Sequence, residues 1–244
     1  MAVVVCLAMC LGTQGQNEIN VKSLAEGDLL FCVAENGNNI TDVTTGLDGK
    51  QIDHVAIFHK DKGAAFALEA IHQGVCLTPI DSFMARRQTV VVAQLKDTTG
   101  VARSVERAMQ FIGTPYDFNF MPSDSAMYCS ELVQKCYRTP HGELVFNPIP
   151  MSFHDKTGKV TAYWKEYYGR QGLEVPEGKP GSNPGNLSRS EKIVVRGKLR
   201  QWPVDIKLLH NRKSFSFCKN FAHYYHLYRC INGVADVYHH FFKP

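Results

Sequence analysis

The chain is 244 residues long, 44% hydrophobic and 20% charged, a composition that suits a globular protein and excludes a disordered or collagen-like one. Its formal charge of +4 is unevenly spread: residues 189–244 hold eleven Lys and Arg against three acids, a net +8, while residues 1–188 carry a net −4. A slightly acidic body with a basic end argues against reading the whole protein as a nucleic-acid binder.

The opening stretch MAVVVCLAMCLGTQGQ resembles the apolar core and cleavage region of a secretory signal over residues 1–16, with a cut near Gly15 or Gln16. The basic residues that normally precede such a run are missing, and a buried first strand is the alternative. Cys10 suggests a lipid anchor, against which the bulk of Met9 counts. No later apolar run reaches the ~20 residues that span a bilayer, so the expectation is an exported protein, periplasmic or extracellular, in contact with membrane only peripherally. The eight cysteines, at 6, 10, 32, 76, 129, 136, 218 and 230, form no CxxC pairs and give no disulfide framework.

GDLLFCV, residues 27–33, is a short apolar run after a turn signal and predicts a buried strand. ENGNNITDVTTGLDGKQ is a loop by composition. HVAIFHK alternates, with His54, Ala56 and Phe58 on one face and Val55, Ile57 and His59 on the other, the period of a strand. DKG turns the chain into AAFALEAI, its hairpin partner, and GVCLTPI and RQTVVVAQL bring the sheet to about five strands. Helical spacing follows, with Val101, Val105, Ala108, Met109 and Ile112 recurring at three and four residues before Gly113. After the turn-rich GTPYDFNFMPSD, Ser125 is placed to cap a helix carrying Cys129, Leu132, Val133 and Cys136 on one stripe. AYWKEYYG is a short aromatic element. PEGKPGSNPGNLSRS, residues 176–190, has the composition of a linker. The expected organisation is therefore a catalytic domain over 20–175, a linker over 176–190 and a basic, aromatic tail over 191–244 without clear periodicity.

Three residue types can carry chemistry here. A free thiol is mostly protonated at neutral pH, and both a helix N-terminus and an adjacent imidazole favour the thiolate. Cys129 near a helix start meets the first condition, and its own backbone N–H, an unpaired early donor, can face a developing oxyanion. Against this, cysteine on an apolar stripe is often a small core hydrophobe, the reading given to Cys136. His54 on a strand can be a tolerated polar residue or a base. Glu69, inside the apolar run FALEAI, is costly unless it has a partner or faces outward at an edge. His72 and His59 lie close by in sequence, although alternation puts His59 opposite His54. Asp117 either braces the loop before the helix or is solvated. In the tail, Cys218, His223, His226 and Cys230 lack paired metal-ligand spacing, and no Gly-rich phosphate loop is present, so no cofactor and no metal are expected.

In order and spacing, GDLLF, DHVAIFH, ALEAIHQGVCLTPIDSFMARR, YDFNF and YCSELV resemble the circularly permuted papain-like amidases, the YiiX/YaeF-like branch of the NlpC superfamily, over about residues 24–150. GTPYDF ahead of YCSELV resembles the turn before the nucleophile in ordinary NlpC-type cell-wall peptidases. The resemblance implies an α+β fold, with an antiparallel sheet of about five strands packed on helices that include the nucleophile helix. It implies Cys129 as nucleophile, His54 as base and acid, Glu69 as the residue that orients the imidazole, and Tyr128 as a residue that helps shape the oxyanion pocket. The order His, Glu, Cys is the permuted one, and geometry rather than chain order defines such a triad.

The expected activity is a cysteine-dependent amide hydrolase working through a thioester, on cell-wall peptides or lipid-linked amides. A lipid acyltransferase or thioesterase on the same fold, which a large apolar groove beside Cys129 would favour, and a non-catalytic binding module are the alternatives. The expected partner is thus a peptide or acyl-amide substrate and not nucleic acid.

Overall fold

The computed structural model describes residues 17–87 and 89–200. The proposed signal segment and the tail cysteine–histidine set lie outside the described residues. The chain enters through a two-residue strand β1 (Glu18–Ile19), then β2 (Leu29–Val33). The loop read from composition follows and contains a single 3-10 turn, Leu47–Gly49. Next come β3 (Ile52–Asp61), β4 (Ala64–Ile71) and β5 (Gly74–Pro79). Lys62 and Gly63, with φ of 48° and 85°, form the β3–β4 turn; positive φ at both central residues matches the twist of the flanking strands. A short helix α1 (Ile80–Ala85) leads to β6 (Thr89–Leu95), and two helices follow, α2 (Val101–Gln110) and α3 (Cys129–Cys136). The remaining elements are β7 (Ile149–Pro150), α4 (Ala162–Gly169), β8 (Pro180–Gly181), α5 (Pro184–Ser188) and β9 (Ile193–Leu199).

All five expected strands form, but among the described residues the sheet has seven, in the order β1-β9-β6-β2-β3-β4-β5. Its pairs are antiparallel except β1–β9, which is parallel. The fold is α+β, with the α3 layer on one face of the sheet and α1 on the other. The helix-side core joins Leu29, Phe31, Val55, Ile57 and Leu68 to Val105 of α2 and to Leu132, Val133 and Cys136 of α3. On the opposite face Leu30, Ala56, Phe58 and Ala67 pack against Ile80 and Phe83 of α1. Buried on both sides, the central strands read as nearly continuous apolar runs. A third, aromatic cluster gathers Met151, Phe153, Trp164 and Tyr168.

Two boundary expectations are corrected. Residues 176–190 are not a linker: they contain β8 and α5, and Pro184, Gly185, Leu187 and Ser188 are buried. Residues 191–200 are not a tail: β9 lies between β1 and β6, and the domain continues to Arg200. Pro and Gly here have positional uses that composition cannot distinguish from a linker. Asn183 caps α5 by accepting the Asn186 N–H at 2.6 Å, and Pro184 follows it in the first turn, where a missing N–H costs nothing.

A bulge between the β6–β9 pairs Val92↔Gly197 and Ala93↔Val195 leaves Arg196 without an opposite residue. Its guanidinium turns to the buried carboxylate of Asp28, in the GDLLF motif, and to the Ser23 carbonyl. Asp28 also accepts the Ala25 N–H at 2.9 Å. Removing one partner of a buried ion pair leaves a charge uncompensated. Arg196→Leu is therefore expected to lower stability by about 3 kcal/mol, read from the urea midpoint; a tail residue would leave that midpoint unmoved.

Candidate active site

Helix α3 starts at Cys129 itself. Tyr128 is the extended cap residue, with φ −103° and ψ 168°, and its side chain makes no capping bond. Ser125, expected as the cap, bonds Ser123 at 3.1 Å instead. The first turn carries a buried acid, Glu131 at the third helical position, which pairs with Lys135 at 2.9 Å. Burial lifts the Glu131 carboxyl to about 7, partly offset by its bond to Lys135. Cys129 thus takes the first helical position, where its N–H has no intrahelical acceptor.

The helix is buried on more than its apolar stripe. Ser130, Glu131 and Gln134 are buried with Cys129, Leu132, Val133 and Cys136, so each polar side chain needs a partner. Ser130 Oγ receives the Ser182 hydroxyl at 3.1 Å, Gln134 donates to the Phe146 carbonyl at 3.2 Å, and Glu131 pairs with Lys135 at 2.9 Å. Cys136 lies in the core, where burial pushes its thiol up to about 12.

His54 and Glu69 meet at the place where the sheet parts. The β3–β4 ladder runs from Asp61↔Ala64 only to Ile57↔Leu68, and a bulge at Asp53 ends the regular β2–β3 register just before His54. Across these diverging strands His54 Nε2 lies 2.8 Å from Glu69 Oε2, both groups buried. Nδ1 is the nitrogen that Glu69 does not engage, and Cys129 lies near enough for its charge and hydrogen bonding to act on the imidazole. The thiol of the α3 layer thus reaches a histidine that alternation assigns to the α1 face. Burial alone would lower the His54 pKa. The charge and hydrogen bond of Cys129, with the bond to Glu69, outweigh it and raise the imidazole to about 9, while the charge of Arg87 acts the other way.

Glu69 is fully buried and would be expensive without partners. It has three: His54, the Thr78 hydroxyl at 2.6 Å, and the Arg86 guanidinium on the same oxygen as Thr78. Burial pushes its carboxyl up, but the His54 bond and charge, Arg86 and Thr78 carry it down to about 2. Thr78 belongs to β5, and Arg86 is the residue that ends α1. Neither was singled out from sequence. The apolar setting of Glu69 signalled that a cation was needed, and MARR offered two, but nothing in the pattern chose between Arg86 and Arg87. Arg87 faces Asp53 at 3.4 Å, and Asn38 donates to the same carboxylate at 2.8 Å.

Tyr128 lines the cleft beside Cys129, and its hydroxyl accepts the Ser182 N–H at 3.0 Å. The segment taken for a linker therefore forms one wall of the site, which no sequence signal marked. Asp117 is buried and accepts the Asn119 and Met121 N–H groups at 2.9 and 2.6 Å, a loop brace rather than a solvated acid. That loop holds Phe120 at φ 52°, a left-handed backbone that costs a bulky residue on the order of 1 kcal/mol or more. His59 pairs with Glu26 at 2.6 Å, away from the site. His72 sits in the β4–β5 turn, outside the His54 network, its pKa lowered by burial and by Arg86.

A thiol at a helix N-terminus, facing a strand imidazole that a buried carboxylate holds from behind, defines the papain-like class of cysteine hydrolases. The chain belongs to the permuted papain-like amidase family, YaeF/YiiX, C92, whose model matches residues 23–170. The uncharacterized protein YiiX of Escherichia coli K12 is 27% identical over 185 residues, 73% of this chain and 87% of its own length. The crystal structure of metalloprotein yiiX from Escherichia coli O157:H7 (DUF1105) matches with a TM-score of 0.60 at 23% identity, covering 73% of this chain and 98% of that one. That protein is described as a metalloprotein. Among the described residues here, no group of three or more His, Cys, Asp or Glu side chains is arranged to hold a metal ion.

The low carboxyl pKa of Glu69 has a measurable consequence. A carboxylate depressed from 4.5 to about 2 contributes stability above pH 4.5 and loses it as the pH falls toward 2. The stability gap between the native protein and Glu69→Gln, measured by denaturant titration, is expected to be widest at neutral pH and to close by on the order of 3 kcal/mol across that window. A gap independent of pH would contradict the charged, paired state.

Proposed function

We propose that the protein is a cysteine-dependent amide hydrolase that works through a thioester acyl-enzyme. What supports this most is one observation: His54 is coupled on one side to the Cys129 sulfur and on the other to the Glu69 carboxylate. In this reading His54 already holds the proton given up by Cys129, and the sulfur attacks the substrate carbonyl. The oxyanion that develops is stabilised by the Cys129 N–H at the open start of α3, with the positive end of the helix behind it. His54 then returns the proton to the amine as the C–N bond breaks, leaving the acyl group on sulfur. Water enters, gives a proton to His54, and attacks the thioester. As the S–C bond breaks the acid departs, and the sulfur is left beside the protonated His54, as at the start. Glu69 fixes the ring and stabilises the imidazolium, and Arg86 and Thr78 keep Glu69 ionised and in place.

Tyr128 acts here as a wall of the oxyanion pocket, set by the bond from Ser182. The substrate is a cell-wall peptide or a lipid-linked amide, and the apolar opening sequence supports action outside the cytoplasm. Acyl transfer to a second acceptor in place of water is the other reading, and the apolar cleft lined by Cys129 favours it. Product analysis separates the two: free acid for hydrolysis, a new ester or amide for transfer.

Cys129→Ala is expected to abolish covalent labelling by an acylating thiol probe, while Cys136→Ala leaves it intact. His54→Ala should lower kcat/KM by about 10²–10⁴. Because the leaving group needs a protonated imidazole, kcat/KM should fall as the pH rises through about 9, where His54 loses its proton. Labelling that survives in Cys129→Ala would remove the basis of the reading.

A further inference from the structure

Cys129 lines a cleft that is partly open to solvent. Beyond the sulfur its walls are Ile40, Val43, Phe120, Met151, Phe153 and Trp164. These side chains belong to the loop after β2, the braced loop before α3, the chain at β7 and helix α4. Their rings are already engaged with one another. Phe120 meets Tyr128 edge-on at 5.3 Å and Trp164 at 5.8 Å, and Phe153 meets Trp164 at 5.2 Å. The polar atoms of this cluster are engaged too. Trp164 Nε1 donates to the Asn39 carbonyl at 3.1 Å, and the Tyr168 hydroxyl donates to the Asn119 carbonyl at 3.0 Å. The polar side chains Thr44, Ser130, Ser152, Ser182 and Asn183 also line the cleft, and each already holds a hydrogen bond within the protein.

The charge pattern narrows the ligand further. Asp53 is the one charged side chain among the residues lining the cleft, and its carboxylate is already held by Asn38 and Arg87. No Lys, Arg or His is among them. A peptide rich in carboxylates would have to desolvate those charges against aromatic walls without a cation to meet them. An alkyl chain meets no such cost and gains by burial. The walls are also preset, since Asp117 holds the loop that keeps Phe120 in its left-handed conformation, so little ordering is left for binding to drive.

We propose that this cleft is an acyl subsite, and that the substrate is an amide or ester of a medium-length or long aliphatic acid whose chain lies along Val43, Phe120, Met151 and Trp164. This rests on the cysteine-hydrolase reading above and deepens it by assigning the acyl half of the substrate to the cleft. The carbonyl carbon is placed at the Cys129 sulfur, and it is the alkyl chain, not the leaving amine, that stays bound in the thioester.

The test uses the full chain with p-nitrophenyl acetate, butyrate and octanoate, and with the matching N-octanoyl anilide. Burial of each methylene corresponds to about a fourfold gain, so kcat/KM should climb from acetate to octanoate by roughly 50-fold or more even with partial burial. Rapid quenching with octanoyl substrate should give an octanoyl-sized mass increase on the peptide containing Cys129. Val43→Trp, which fills the subsite, should collapse the octanoate-to-acetate ratio; a normal circular-dichroism melt would establish that the variant is folded. Cys129-dependent turnover with a flat chain-length profile would overturn the acyl subsite while leaving the cysteine hydrolase standing. So would cleavage of a cell-wall peptide at a higher kcat/KM than the octanoyl anilide. Absence of any Cys129-dependent turnover of esters, amides or peptides would overturn both.

Discussion

A carboxylate with no access to water sits at the centre of this domain, and the placement of the other site residues follows from what it needs. Glu69 is fully buried in a strand, where an unpaired charge would be intolerable. It is held by three neighbours from three elements: His54 from β3, Thr78 from β5, and Arg86 from the end of α1. Two of its bonds converge on one oxygen and the third takes the other, so the carboxylate cannot rotate without breaking a bond. The imidazole inherits that rigidity. With Nε2 fixed, the ring is set beside Cys129, and the cysteine–histidine coupling becomes a consequence of how a buried charge is neutralised.

The layers of the fold make this meeting possible. Alternation alone would put His54 and Cys129 on opposite faces of the sheet, since Cys129 packs with the helix-side core and Ala56 and Phe58 with the α1 side. The end of the β3–β4 ladder and the bulge at Asp53 open the sheet where the two groups must meet. A bulge beside an active site is a recurrent way to re-aim a side chain. The C-terminal elements then close the site. Ser182 ties to both Tyr128 and Ser130 at the start of α3, and β9 brings Arg196 to Asp28, a buried acid just ahead of β2. Stability and the shape of the cleft therefore depend on the same late segment.

Much of this was legible in the sequence. Side chains alternate in direction along HVAIFHK, but both faces are buried from His54 to Phe58, so the short apolar runs bounded by turn residues are what specified the strands. Glu69 stood out because a charge in an apolar strand demands an explanation, and the order His54, Glu69, Cys129 matched a permuted family. The start of α3 was misplaced because Ser125, four residues upstream of Cys129, looked like a cap. Here an extended tyrosine with no side-chain cap precedes the helix, a choice made by burial rather than by local preference. The region 176–200 was misread for a related reason. Pro, Gly, Ser and Asn serve turns, caps and tight packing as readily as linkers, and a strand that joins the sheet through a bulge, as β9 does, carries a blurred alternation. Arg86 and Ser182 were out of reach altogether, since their roles arise from contacts across 17 and 52 positions of chain.

The coupling of sulfur, imidazole and carboxylate is most directly tested by following the protonation of His54 itself, by ¹⁵N-edited NMR of its imidazole across the pH range. In the native protein the ring should hold its proton to about pH 9, supported by the Cys129 sulfur and by Glu69 against the opposing effect of burial. In Cys129→Ala the support from sulfur is gone, and the midpoint should fall well below that value. An imidazole that titrates at the same pH in both proteins would mean that the two side chains do not act on one another.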